Sequence, residues 1–404
     1  MKKVFFLFLL CTLIGFCSKG SKYKSIEFDN TYKFSEEILD EAKEGKRFGE
    51  HQYAAWEFAF QGDYKNALSQ WDLARQPDYQ EFSQQEIDSL QKNYKVADAK
   101  KYLAKKIKDY QIVIINEAHH NSFHRHFISS LLEVFYRNGF RYFGLETLEN
   151  GLKKDSHLNT RNFPIQTSGF YTRDPNYGSM LRKALEMGYS VFPYEDTTGV
   201  NHGEREIEQA KNIKRIIDQN PDAKFLIHCG FGHVMEGIFP SGMKALAERL
   251  KEYTGIDPLT IDQVAHSEKG NPDFFSPLSR VYKVKTPGVL INENYEAVTN
   301  RIKDRWTDIA VIQPKTSYEK GRPGWLLEGK AKPVALDIAD TDLSFPLMVL
   351  AFNKEEGYKR AIPVDIIEVK KREEEMYLAL DPGEYIIVLA NTEDKARKYE
   401  LEVN

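Results

Sequence analysis

The sequence holds few of the residues that could staple or metallate a fold. Among 404 residues there are 3 cysteines, 10 histidines, 7 methionines and 4 tryptophans. Two of the cysteines, Cys11 and Cys17, belong to an apolar stretch at the N-terminus, so Cys229 stands alone in the rest of the chain. Once that stretch is removed no intramolecular disulfide can form, and stability must come from packed cores. Neither sign of charge dominates: 56 Lys and Arg face 60 Asp and Glu, for a formal net charge of −4. No Lys/Arg stripe interleaved with aromatics occurs, so nucleic acid is not an expected partner. Long apolar runs are missing too, apart from "VFFLFLLCTLIGFC" after Lys2 and Lys3.

That run is too short to span a bilayer and has the length of a signal-peptide core. Residues 1–17 therefore read as a signal peptide and the remainder as exported. "LIGFC" resembles a bacterial lipobox, which implies lipidation of Cys17 and attachment to a membrane in the cell envelope through that one residue. A single acyl-modified cysteine tethers an otherwise soluble body without any spanning helix.

The body divides by pattern. Residues 18–96 read as a polar tether, to about residue 50, followed by a helical region. In it Gly62, Tyr64, Ala67, Leu68, Trp71, Ala74 and Pro77 fall at the spacings of a tetratricopeptide helix pair. One such hairpin cannot bury its own face, so it is expected to pack on the next region or contact another protein. Residues 97–332 alternate short apolar strands, at 111–115, 141–145, 189–194, 223–228, 259–261 and 308–312, with helical patterns at 124–138, 176–187, 204–218 and 241–253. Gly139, Gly188 and Gly255 follow three of those helices, where a C-terminal cap takes positive φ. Residues 333–404 carry five strand-like segments separated by turn signals such as "DPGE" and "NTED". The expected fold is α/β: a mostly parallel sheet with flanking helices, an N-terminal helical hairpin and a small C-terminal antiparallel β module.

Ligands of open parallel sheets bind beyond the carboxyl ends of the strands, where the loops converge. Four of the ten histidines crowd into "IINEAHHNSFHRH", residues 114–126, at one such end. The first strand is followed by Asn116, Glu117, His119 and His120; the second by Glu146; the third by Glu195 and Asp196; the fourth by His228 and then "GFGH", ending in His233. Four separate strand ends each offer an ionisable group, which predicts one shared site. His119 and His233 with Glu117 and Glu146 suit hydrolysis, in which one group activates water and another meets the developing charge. The same His and carboxylate types would hold a divalent metal with an open water position, through His119, His233 and Glu146, with His120 as a further ligand. Both chemistries stay open at this point. His124 and His126 read as helix-start or surface residues. Arg205, in "HGEREIEQAKNI" beside the exit of the third strand, is placed to clamp an anion or an oxyanion.

These motifs, "NEAHH" followed by a helix and "GLE", then "ERE" before a strand and "GFGHV", resemble the superfamily of erythromycin esterases, TraB/Tiki metalloproteases and ChaN-type haem-binding lipoproteins. The resemblance covers roughly residues 97 to 330. In TraB and Tiki members two Gly-x-x-His motifs and a glutamate form the site, which maps onto Asn116 to His119, Glu146 and Gly230 to His233, with Asn116 in the place of a glycine. In erythromycin esterases a Glu-Ala-x-His segment supplies the catalytic pair, here Glu117 with His119 or His120, and the resemblance also draws Arg205 into the site. It implies an envelope-anchored hydrolase of an ester or amide bond in a small molecule or peptide, with Mn, Co or Zn as the metal where one is used. The alternative it carries is a haem- or iron-binding lipoprotein without catalysis.

The lipobox reading has a direct consequence. Cys17→Ser is expected to move the protein from the membrane fraction to the soluble fraction without loss of activity, which fractionation and mass spectrometry of the N-terminus would check. An unmodified, soluble wild type would overturn it.

Overall fold

The computed structural model describes residues 22–45 and 49–404; residues 1–17, read above as a signal peptide ending in Cys17, lie outside them. A short strand β1 (Lys24–Ile26) leads into helices α1 (Ser35–Lys43), α2 (Glu50–Phe60), α3 (Tyr64–Ala74) and α4 (Gln84–Asn93). Strand β2 (Lys95–Asp98) and helix α5 (Ala99–Lys106) open the α/β region, followed by β3 (Ile112–Glu117), α6 (Ser122–Arg137), β4 (Phe140–Leu145), α7 (Leu158–Arg161) and α8 (Pro175–Glu186). It continues with β5 (Ser190–Pro193), α9 (His202–Gln219), β6 (Lys224–Gly230), α10 (Leu246–Thr254) and strands Leu259–His266, Gly288–Ile291 and Ile309–Ile312.

The protein is mixed α/β. Its large sheet has eight strands, in the order β2, Gly288–Ile291, Ile309–Ile312, Leu259–His266, β3, β6, β4, β5. From Ile309–Ile312 to β5 every neighbouring pair is parallel, while β2 and Gly288–Ile291 form an antiparallel edge that the sequence pattern did not signal. β3, with sequence IVIINE, is buried along its whole length, as a strand covered on both faces must be. Ile115 and Val113 face a core built with α5, α6 and α8, including Phe127, Leu131, Phe135 and Met180. Ile112 and Ile114 face the opposite core, with Ile213 and Ile217 of α9 and Leu246 and Leu250 of α10. Each such aliphatic side chain, fully withdrawn from water, contributes roughly 1.5–3 kcal/mol.

The helix ends follow local chemistry. Asp174 caps α8 by accepting from the backbone N–H groups of Asn176 and Tyr177, with Pro175 in the first turn. Gly139, Gly188 and Gly255, expected as C-terminal caps, have φ of +90°, +88° and +71°.

The C-terminal strands form an antiparallel sheet in the order β1, Ala396–Val403, Gly383–Asn391, Leu347–Asn353, Asp365–Val369. Its edge corrects the reading of residues 18–50 as tether: Lys24–Ile26 pairs with Ala396–Lys398, and Tyr23 is buried in the module's core. Three residues with one apolar side chain give no strand signal. Only a partner near the other end of the sequence, Ala396–Lys398, makes them one.

The α2/α3 hairpin sits between the two sheets. Phe60 joins Met348, Leu350 and Ile366 in a shared core, and Trp71 reaches the other way to stack on His120, ring centroids 4.1 Å apart. The turn between the helices uses Gly62 at φ +80°, where a Cβ would stand 2.3 Å from the Ile366 carbonyl oxygen. Gly62→Ala therefore combines left-handed strain with a backbone collision. Chemical denaturation should show a loss of about 2 kcal/mol or more, whereas Gly321→Ala, at φ +75° with open space around it, should lose no more than about 1 kcal/mol. Equal losses would mean that the hairpin does not need its close seat on the module.

Candidate functional site

Parallel register brings the proposed residues to one level. Glu117 on β3 lies beside Gly230 on β6, and Leu145 on β4 lies beside His228, so Glu146 emerges next to both. His119 follows β3 by two residues, and His233 closes a single turn of 3-10 helix, Phe231–Val234, after β6.

Glu117 is buried and is the hub of the inner half. Its Oε1 accepts from Arg125 Nη2 at 2.7 Å and from His119 Nδ1 at 2.9 Å, and its Oε2 accepts from Arg125 Nε at 2.8 Å. His228 Nε2 stands 3.2 Å from Oε2, while its Nδ1 pairs with the Tyr177 hydroxyl at 2.8 Å. Burial opposes the charge on Glu117, but Arg125 and His228 outweigh it and hold the carboxyl well below the usual range. Arg125 is completely buried and also meets Asp174 at 2.8 Å.

His119 links that hub to a solvent-open cavity of about 340 Å³. An ionised carboxylate can only accept, so the bond to Glu117 makes Nδ1 the donor, which in the neutral ring puts the lone pair on Nε2. The ring stacks on Tyr171 at 3.9 Å and meets Phe231 edge-on at 5.0 Å. A Cβ on Gly230 would fall 2.5 Å from His119 Nε2 and 3.3 Å from Glu146 Oε2, so both groups flank one point and only glycine fits there.

The outer half surrounds Glu146. Its Oε2 accepts from the Gly230 N–H, and its Oε1 accepts from Arg205 Nη2 at 2.6 Å and lies 3.3 Å from His233 Nε2. Arg205 also donates from Nε to Glu195 at 2.8 Å, and His233 Nδ1 contacts Glu206 at 2.7 Å. Burial disfavours the imidazolium, yet Glu146 and Glu206 prevail and lift His233 to about 10. Its Nε2 then carries a proton aimed at Glu146. The Arg205 Nη1 atom, 3.1 Å from that nitrogen, is a neighbouring cation rather than a donor to it. Two cations, Arg205 and His233, thus sit among three carboxylates.

His119, Glu146, Glu195, Asp196, Arg205 and His233 all line the cavity. Glu117 does not; its link to the cavity is the bond to His119. His120 is turned away, buried against Trp71 and held well below its ordinary pKa by burial. His124 accepts from the Ala118 N–H, and His126 pairs with Glu328 at 3.0 Å. Asn116, where the resemblance has glycine, donates to the Phe231 carbonyl at 2.8 Å and accepts from Gln263 N at 2.9 Å. It thereby pins Phe231 at φ +38°, a strained value for a bulky residue. Arg125, Tyr171 and Glu206 were not signalled by the sequence. Arg125 lies inside the histidine run, Tyr171 in the β4–α8 connection, and Glu206 beside Arg205 on α9.

A resident metal does not fit these donors as arranged. Among the described residues no group of three or more His, Cys, Asp or Glu could hold one. The Arg205 guanidinium occupies the space from which a cation would reach both Glu146 and His233, and His120 points elsewhere. Haem fits no better, because four carboxylates, Glu146, Glu149, Glu195 and Asp196, line a cavity whose apolar wall is mainly Leu148, Phe170 and Tyr171.

No family model matches the chain, and neither does any curated protein. Solved structures resemble it remotely. RRSP, a MARTX toxin effector domain from Vibrio vulnificus CMCP6, is 14% identical over 60% of this chain and 47% of its own, with a TM-score of 0.32. The type III effector HopBA1 is 13% identical over 44% of this chain and 89% of its own, with a TM-score of 0.32. The C-terminal region of Pasteurella multocida toxin, described as having a thiol-protease like catalytic triad, is 10% identical over 87% of this chain and 50% of its own, with a TM-score of 0.33. Likeness this remote carries no argument about this chain.

The His233 environment predicts a pH dependence. A folded pKa of about 10 lies above the ordinary value near 6.5, so the stability it adds is full below about pH 6.5 and is lost as pH rises through about 10. The unfolding free energy of the wild type minus that of His233→Gln should fall across this window, by an amount on the order of a few kcal/mol. A flat difference would show His233 to be neutral in the folded protein.

Proposed function

We propose that the chain is a hydrolase of an ester or amide bond, anchored in the cell envelope through Cys17, with residues 97–332 as its catalytic domain of the erythromycin esterase, TraB/Tiki and ChaN kind. On this reading the eight-stranded sheet with its flanking helices is the mostly parallel core, served by the N-terminal hairpin and the C-terminal β module. The observation that carries the proposal is the bond from His119 Nδ1 to Glu117 at 2.9 Å, which leaves Nε2 facing the cavity beside Glu146. That is the arrangement of an oriented general base.

His119 Nε2 takes a proton from water as the hydroxide oxygen bonds to the substrate carbonyl carbon. Arg205 and the His233 imidazolium meet the negative charge that develops on the carbonyl oxygen. Collapse of the tetrahedral species breaks the bond to the leaving alcohol or amine, and His119 returns the proton to it. Glu117 positions His119 and balances its transient charge. Glu146 holds Arg205 and His233 in place. None of these steps passes through a metal.

The test is turnover of a chromogenic ester and amide panel by the chain beginning after Cys17, in the presence of a chelator. His119→Gln, Glu146→Gln and Arg205→Gln should each lower kcat/KM by about a hundredfold or more, and the losses should combine far less than multiplicatively. Glu117→Gln should lower activity and also melt the protein earlier, because it strands Arg125 without its main partner; the loss is expected to reach about 3–5 kcal/mol. Full turnover by His119→Gln on a substrate the wild type hydrolyses would end the general-base reading. A Soret band on haem addition, lost in His119→Ala, would favour the binding alternative instead.

A further inference from the structure

Away from that site, a cavity of about 770 Å³ opens where three parts of the chain meet. Tyr64 and Leu68 of the hairpin, Lys269 after strand Leu259–His266, and Ile367 and Met376 of the C-terminal module line it. Its size suits a small molecule.

The charges in its wall are unevenly matched. The carboxylates are engaged by neutral donors: Glu268 accepts from the Thr316 N–H at 3.0 Å, Glu368 from the Ser35 N–H at 2.8 Å, Glu374 from the Lys370 N–H at 2.9 Å, and Asp63 from the Asn66 N–H at 3.1 Å. The lysines are not so engaged. Lys269 Nζ contacts only the Ser267 hydroxyl at 3.4 Å, and among the described residues Lys65, Lys269 and Lys315 have no ion-pair partner. Burial pushes the Lys269 ammonium below its usual range, and the carboxylates of Asp72 and Asp262 offset this only in part. Arg322, 2% exposed in the same wall, meets Asp365 through Nη2, while its buried Nε has no partner. A buried guanidinium N–H left without a bond is costly. Tyr64, Leu68, Ile367 and Met376 add an apolar side to this cationic one.

We propose that this cavity is a second ligand site, which takes an amphipathic oxyanion: a carboxylate or phosphate head met by Lys269, Lys315 and Arg322, carried on an apolar chain that lies against Leu68, Ile367 and Met376. The inference is independent of the hydrolase reading, because no residue of the cavity around His119 takes part in it.

Calorimetric titration of the chain beginning after Cys17 tests it, with octanoate, octyl phosphate, 1-octanol and inorganic phosphate as probes. One or both amphipathic anions should bind, and 1-octanol and phosphate should bind at least about tenfold more weakly, since each supplies half of the recognition. Preference for octyl phosphate would point to a lipid-phosphate source, and preference for octanoate to a fatty acid. Lys269→Gln combined with Lys315→Gln should bring the anion down to the affinity of 1-octanol. Met376→Trp and Leu68→Trp, from different parts of the chain, should each fill the cavity and abolish binding, with near-ultraviolet circular dichroism selecting a variant that keeps its fold. Binding should survive His119→Gln unchanged. The proposal falls if neither anion binds, if 1-octanol binds equally well, if a folded, filled variant still binds, or if His119→Gln removes binding.

Discussion

The buried pair of Arg125 and Glu117 is the constraint on which the rest of the site depends. Neither side chain reaches solvent to any useful extent, so the desolvation of two charges must be offset by geometry and by further hydrogen bonds. Both conditions are met. Arg125 grips Glu117 through two nitrogens, donates to the His119 carbonyl at 2.8 Å and reaches Asp174 at the cap of α8. One guanidinium therefore ties the end of β3, the loop after it and two helices into a single arrangement. An apolar core of equal volume would be at least as stable. What the ion pair adds is a fixed carboxylate, and through it a fixed tautomer and direction for His119.

The second constraint is steric. Gly230 lets the backbone of β6 pass close under His119 and Glu146, and the next residue, Phe231, must then turn through positive φ. That strain costs about 1–3 kcal/mol. Asn116 offsets part of it with a bond to the Phe231 carbonyl, and the Phe231 ring stacks at 5.1 Å on Trp71. A glycine at 116 would allow the same backbone but would leave the Phe231 carbonyl without that donor, so the asparagine is a structural brace within a motif of otherwise chemical residues.

What could be read from the sequence, and what could not, divides along the same line. Glu117, Glu146, His119 and His233 were legible because strand ends are a place that topology makes special, and the structure brings all four to one level, with Arg205 beside them. Their roles were less legible, since spacing cannot tell a carboxylate that lines a cavity from one buried beneath it. Glu117 and Glu146 have equivalent positions in sequence and opposite exposures to the cavity. His120 shows the same limit: two adjacent histidines must point differently, and only the seat of Trp71 decides which is buried. Arg125 gave no signal because a helical arginine looks solvated until its partner, eight residues back, is seen beneath it. β1 gave none because its pairing is with the far end of the chain.

The hairpin explains why the site needs more than the α/β region. Trp56 meets the His119 ring edge-on at 6.4 Å, and also Tyr171 at 5.5 Å, while Trp71 covers His120 and Phe231. Remove those indoles and the loops after β3 and β6 would expose a buried imidazole and a strained aromatic to water. The hairpin in turn is fixed by Phe60 and Gly62 against Ile366 of the C-terminal sheet, whose edge is β1. Two close contacts thus carry rigidity from a sheet that holds none of the residues around His119 to the walls of that cavity. A single helix pair, too small to bury its own surfaces, is stable here because each of its faces completes a different core.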